Sequence, residues 1–172
     1  ILGILMLTAI PAVTRAIARS RKNTFWQNAK QYIQAVQTPY LSGEYVLSSS
    51  TTSVCPLPEP GKSYYILLDD IDLDAGSKDK SSFGAQYKKS GTCQPRVIVA
   101  NIGTGQVNGE NKDKIVWYFV GLDQSNNGIT NPVSESALSF NSVEVGNGGG
   151  SNNHTCGNSV TGGGTPVRCQ PQ

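Results

Sequence analysis

The first thirteen residues, Ile1-Leu-Gly-Ile-Leu-Met-Leu-Thr-Ala-Ile-Pro-Ala-Val13, carry no charge. After Val13 the pattern does not break but turns amphipathic. Val13, Ile17, Phe25, Ala29, Ile33 and Val36 recur at helical spacing, with Tyr32 beside them and Arg21 in the one polar gap of that stripe. Arg15, Arg19, Lys22, Gln27, Lys30, Gln31 and Gln34 occupy the other faces. No glycine or proline intrudes between residues 12 and 38, and Thr38-Pro39 predicts a stop, because the residue before proline is pushed out of the α region. The pattern therefore predicts one helix over residues 1–38, roughly 55 Å long at ~1.5 Å per residue. Its front, 1–14, is apolar all round and must bury in lipid or among copies of itself. Its rear, 15–38, has a single stripe to lay against its own domain.

Thirteen apolar residues are too few for a membrane span, which needs ~20 to cover ~30 Å of hydrocarbon. Three readings compete: a signal-peptide remnant, a buried core helix, and the rear of a longer apolar helix. Pro11 favours the third. Inside a helix it removes one hydrogen bond and crowds the carbonyl of residue 7, at a cost of ~3 kcal/mol in water, and membrane helices tolerate it better. If Pro11 instead opens the helix, Ile1–Ile10 is left as exposed apolar coil.

Beyond the helix the period changes. Residues 39–62 read as a connector, Ser/Thr-rich at 48–53 and stiffened by Cys55-Pro-Leu-Pro-Glu-Pro-Gly61. Tyr45–Leu47 is a short strand candidate. Tyr64–Asp74, Arg96–Ile102 and Lys114–Leu122 are stronger ones, rich in β-branched and aromatic residues. The last two, joined by Gly103–Asp113, read as a hairpin, and a further strand is expected within Leu138–Val145. A helix followed by strands predicts an α+β fold in which the helix stripe lies on one face of a small antiparallel sheet. Trp26 and Trp117 are expected in the core between them. The chain thus divides into a helix, 1–38, and a β-rich head, 39–172.

Composition sharpens this picture. Apolar residues make up 37 % of the 172 and charged residues 15 %, with nineteen glycines and nine prolines, so the head is loop-rich with a modest core. The net charge of +2 conceals an asymmetry: Arg15, Arg19, Arg21, Lys22 and Lys30 meet no acid within residues 1–43, whereas the remainder has nine bases against twelve acids. That distribution does not fit a uniformly basic nucleic-acid binder.

Chemistry-bearing motifs are scarce. Gly103-Thr-Gly105 follows a strand but precedes another, so no helix N-terminus is there to hold a phosphate. Asp70, Asp72 and Asp74, with Gly76 and Asp79, resemble the start of a calcium loop. However, the glycine comes one place late and residue 81 is Ser where a bidentate Glu belongs. The same alternation arises on a solvated strand face, so calcium stays a weak candidate and no cofactor is expected. His154 is the one side chain with an ordinary pKa near ~7; it sits in a Gly/Asn-rich tail without a nucleophile motif, so no catalysis is expected. Cys55, Cys93, Cys156 and Cys169 allow three pairings. The shorter loops favour Cys55 with Cys93 and Cys156 with Cys169, the second clamping the glycine-rich tail. Zinc is disfavoured, because there is no Cys-x-x-Cys pair and His154-x-Cys156 lacks a matching one.

The apolar segment also carries a resemblance. Gly3 and Pro11, eight apart, with Ile4, Leu5 and Ile10 between them and Leu2, Leu7 and Val13 completing the run, resemble the second half of the N-terminal segment of type IV pilins and type II secretion pseudopilins. The resemblance covers residues 1–40; beyond them it is architectural, a long helix followed by a β-rich head with cysteines near the C-terminus. It implies roughly eleven further residues before Ile1, which restores the ~20 apolar residues of a span. With them would come a prepilin peptidase cleavage site and a conserved Glu. It also implies a pilin-like head with a disulfide-bounded C-terminal region, to which Cys156–Cys169 is similar. The implied function is a structural subunit that is held in the bacterial cytoplasmic membrane and then assembled with copies of itself or related subunits into an extracellular filament. The alternatives are a minor pseudopilin of a type II secretion or DNA-uptake machine, or a membrane-tethered extracellular binding module. Arg15, Arg19, Arg21 and Lys22 would flank the outer side of the span, against the positive-inside tendency. They read either as a solvated helix face or as partners for acidic groups on neighbouring subunits.

Overall fold

The computed structural model describes residues 2–50, 52–71, 93–123, 126–145, 156–157, 160 and 165–172; within these, side chains are described from residue 19 onward, except 104–107 and 111–113. Helix α1, Leu2–Leu41, is followed by strands β1 (Tyr45–Leu47), β2 (Ser63–Leu67), β3 (Arg96–Val107), β4 (Glu110–Leu122), β5 (Gly128–Ser134) and β6 (Val167–Pro171). The fold is α+β, as the pattern predicts.

At 40 residues, α1 extends ~60 Å. It runs unbroken through Pro11 and also passes the expected stop. Pro39 lies in the last turn and not beyond it, forfeiting one helical hydrogen bond that the burial of Tyr40 helps offset. The end is made instead by Gly43, whose φ of 79° turns the chain left-handed. Gly43 N–H donates to Tyr40 O and Glu44 N–H to Pro39 O, at 3.2 and 3.0 Å. This is a Schellman closure, in which the last carbonyls find donors past the helix.

The strand order is β1-β6-β2-β3-β4-β5. All neighbours are antiparallel except β2 and β6, which run parallel with Ile66 opposite Cys169. The sheet is therefore mixed, not antiparallel as expected. The β3–β4 hairpin pairs from Arg96 opposite Val120 to Val107 opposite Glu110, so both strands are longer than predicted and the loop shrinks to Asn108-Gly109. Gly103 lies inside β3, at a register shift between Asn101 and Thr104 where Asn101 Oδ1 accepts its N–H at 2.9 Å.

Two expected strands change. The run from Tyr64 stops at Leu67, because Leu68–Asp70 forms a 3₁₀ turn that drops Leu68 into the core. Leu138–Val145 holds no strand: 3₁₀ turns at Glu135–Ala137 and Phe140–Ser142 flank Leu138, and Glu144 alone pairs, with Gly128. Two strands were not anticipated. β5 carries Pro132, tolerated because β5 ends the sheet order. β6 sits between β1 and β2, although it comes from the far end of the chain.

Strand alternation divides the interior into two layers. Val97, Val99, Phe119 and Ile66 face the helix and meet Phe25, Ala29, Tyr32, Ile33, Val36 and Tyr40. On the opposite face Ile98, Val120 and Leu122 gather with Cys93 and Cys156. The helix layer holds most of the large buried side chains, each contributing ~1.5–3 kcal/mol. Phe25 meets Phe119 edge to face at 6.0 Å. Gly128, with φ 148°, has no room for a side chain, since an added Cβ would sit 2.3 Å from Gly121 O and 2.7 Å from Phe25 Cζ.

The cysteine pairing differs from the expectation. Cys55 bonds Cys169 and Cys93 bonds Cys156, across 114 and 63 residues. Loop length fails as a guide because β6 is carried into the sheet. Cys169 stands opposite both Leu47 and Ile66, and Cys55 donates its N–H to Tyr45 O beside it. Cys93 accepts from Leu122 N–H and lies on the other face. The C-terminal strand is thus clamped, but to the connector.

Candidate assembly helix and its head

Helix α1 presents three zones in turn. Leu2–Val13, the expected assembly segment, has a continuous helical backbone that includes Gly3, Ile4, Leu5, Leu7, Ile10 and Pro11. The placement of those side chains, and Ile1 itself, lies outside the described residues, as do the side chains of Val13 and Ile17 at the start of the stripe. Among the described residues no helix is long and apolar enough to cross a membrane. The second zone is short: Arg19, Ser20 and Arg21 are exposed. Arg21 therefore does not continue the buried stripe; among the described residues head contact begins with Lys22.

The third zone seats the helix. Lys22 places Nζ 4.3 Å from the centroid of the Phe140 ring, a cation–π contact contributing ~0.5–1 kcal/mol when exposed. Asn23 Oδ1 accepts from Trp26 Nε1 at 3.2 Å, which orients the half-buried indole against the core. Farther along, Gln37 Nε2 donates to Glu135 Oε2 at 2.8 Å. Tyr40 closes the zone: its ring meets Trp117 edge to face at 5.5 Å, and its hydroxyl donates to Pro56 O. Burial, and secondarily Tyr64, pushes the Tyr40 phenol far above its ordinary value. Both tryptophans join the helix–sheet core as expected.

Asn28, in this zone, is 8 % exposed, and its Nδ2 has no hydrogen-bond partner among the described residues. Helical spacing does not reveal it, since Asn28 is a polar residue beside the apolar stripe.

The remaining candidates scatter. Asp70 ends the 3₁₀ turn and pairs with Arg168 Nη2 at 3.2 Å, with part of its acceptor capacity committed there. Asp72, Asp74 and His154 lie outside the described residues. Among the described residues no group of three or more His, Cys, Asp or Glu side chains could hold a metal ion. All four cysteines are in disulfides. On the face away from the helix, Arg96 lies 5.4 Å from the Tyr65 ring centroid and is 8 % exposed. Burial lowers its pKa, with Tyr65 acting in the opposite sense. Burial likewise raises that of Tyr118.

Comparison of the chain with protein-family models, curated proteins and solved structures returns no match.

Proposed function

We propose that the chain is a structural subunit of a type IV pilus-like filament, held in the bacterial cytoplasmic membrane before assembly by the apolar front of α1. The observation that carries this reading is the unbroken 40-residue helix whose described head contacts begin only at Lys22 and Phe25. Its uncharged front, residues 1–14, covers ~20 Å of helix and has apolar surface for lipid first and for neighbouring helices afterwards. Head-to-tail repetition of such contacts with an open rotation builds a helical polymer. The resemblance around Gly3 and Pro11 supports the same reading, and disulfides suit an exported head. Membership of a secretion or DNA-uptake pseudopilus shares the same physics.

The second reading is a membrane-tethered binding module, and the β3–β4 hairpin favours it. Strand β2 accompanies β3 only as far as Ala100, and β5 accompanies β4 only from Tyr118, so the hairpin continues as two strands to Asn108-Gly109. Expression of the full precursor beside a type IV assembly machine separates the two. Surface filaments labelled by an antibody to the head are expected. A chain that stays monomeric in the membrane, with no labelled filament, overturns the filament reading and favours the tethered module.

A further inference from the structure

The turn between the two burial zones of α1 has a chemistry of its own. Arg15, Arg19, Arg21 and Lys22 fall within eight residues and no acid occurs before Glu44. Seven steps along a helix span ~10 Å, close to the depth of one headgroup layer, since the polar zones add ~5–8 Å to each side of a ~30 Å hydrocarbon core. Arg19 and Arg21 are exposed. Lys22 is held over the Phe140 ring, so the head starts where the basic turn ends. An uncharged helical segment abutting a polybasic one is also the combination that anchors chains to anionic bilayers, where each Lys or Arg near the surface adds about fivefold in binding.

We propose that Arg15, Arg19, Arg21 and Lys22 form a collar for anionic phospholipid headgroups, which sets the depth of the unassembled subunit and seats its head on the membrane surface. This rests on the membrane reading of residues 1–14. Among the described residues no ion pair joins an acid of the head to Arg19, Arg21 or Lys22. Asp123 is engaged by Asn127, which donates from N and Nδ2 at 2.9 and 3.2 Å. Glu144 is exposed on the strand edge beside Gly128 and carries a single charge. The collar also accounts for basic residues on the outer side of the span: they serve the outer leaflet's own phosphates.

The test is co-flotation of the full chain with phosphatidylcholine vesicles and with vesicles containing phosphatidylglycerol, at low and high salt. Anionic lipid is expected to strengthen binding by more than tenfold, and salt to remove the gain, because exposed charges are screened beyond ~10 Å at ~0.1 M. Arg19→Gln/Arg21→Gln is expected to weaken binding to anionic vesicles about 25-fold, at about fivefold per charge, and to leave binding to neutral vesicles unchanged. Lys30→Gln, exposed on the same helix but ~12 Å farther up, is expected to change either by less than twofold. Equal binding to both vesicle types overturns the collar while sparing the membrane helix. Binding to neither overturns both. If the double variant binds anionic vesicles normally, but copies carrying it no longer crosslink to one another, the collar belongs to a neighbouring subunit's acids and the lipid assignment is wrong.

Discussion

The two halves of α1 share one backbone and contrast in what surrounds them. From Phe25 to Tyr40 the apolar stripe is satisfied within the chain: Phe25 against Phe119, Ile33 and Val36 against the sheet, Tyr40 against Trp117 and Pro56. The apolar residues are more concentrated in the front half, yet among the described residues head contacts start only at Lys22. The difference teaches that a helix can be continuous in hydrogen bonding and divided in energetics. Its rear is stabilised by folding, and the stabilisation proposed for its front comes from lipid and then from assembly. On that reading Pro11 belongs to the half where neighbours, not water, would surround the backbone.

The largest effect that sharpens this contrast comes from the disulfide behind the rear half. Cys55→Ser/Cys169→Ser releases a 114-residue closed loop, which in the chain-entropy picture removes roughly 4–5 kcal/mol. Denaturant unfolding of the head is expected to show that loss. An unchanged midpoint would mean that β6 is held by its strand pairing alone.

A paired truncation tests the division itself. Ile33→Ala empties a fully buried site and is expected to cost ~2–5 kcal/mol of head stability. Ile10→Ala is expected to cost less than ~0.5 kcal/mol in the same measurement, as a substitution outside the head's core does. Equal losses would erase the contrast between the halves.

Alkaline titration probes the rear half's end. In the unfolded chain tyrosines ionise near ~10, whereas burial keeps Tyr40 and Tyr118 protonated to higher pH in the folded head. Above ~10 the folded state then binds more protons, so stability falls as pH rises through that value and is constant below ~9. Tyr40→Phe is expected to flatten the fall, read from unfolding midpoints between about pH 8 and 11, although it strands the Pro56 carbonyl. A slope unchanged by the variant would dissociate Tyr40 from it.

The smallest effect has the opposite sign to an ordinary core truncation. Asn28→Ala removes a buried amide without a partner and improves helix propensity by ~0.5 kcal/mol. Stability is expected to stay level or rise by up to ~1 kcal/mol; a loss above that would reveal a partner in solution.

Local signals were legible in the sequence. The helical period placed Phe25, Ala29, Tyr32, Ile33 and Val36 on one face, and the structure buries all five. β-branched and aromatic runs marked β1, β3 and β4, each within a few residues of its core. What escaped depends on distant partners. β6 is five residues ending in Pro171, with no run to reveal it, and becomes a strand because β1 and β2 leave a gap between them. The cysteine pairing followed from that insertion, so loop length pointed the wrong way. β5 was obscured by Pro132, which only a strand at the end of a sheet tolerates. The helix runs past the expected stop at Thr38-Pro39 because Tyr40's burial and the Schellman bonds at Gly43 outweigh the cost of Pro39 in the fold. At the candidate site, charge and apolarity along residues 1–22 were plain, but the point where the head takes hold depended on Lys22 and Phe140, 118 positions apart.

The front of α1 is proposed to bury against other copies, whereas the rear buries against its own head. The most direct measurement is oxidative crosslinking of single-cysteine variants of the full chain in membranes where it assembles. Cysteine at Ile10 or Val13, flanking Pro11, is expected to give a ladder of crosslinked copies, and cysteine at Ile33 none. Monomers throughout, or ladders from position 33 and not from 10 or 13, would contradict it.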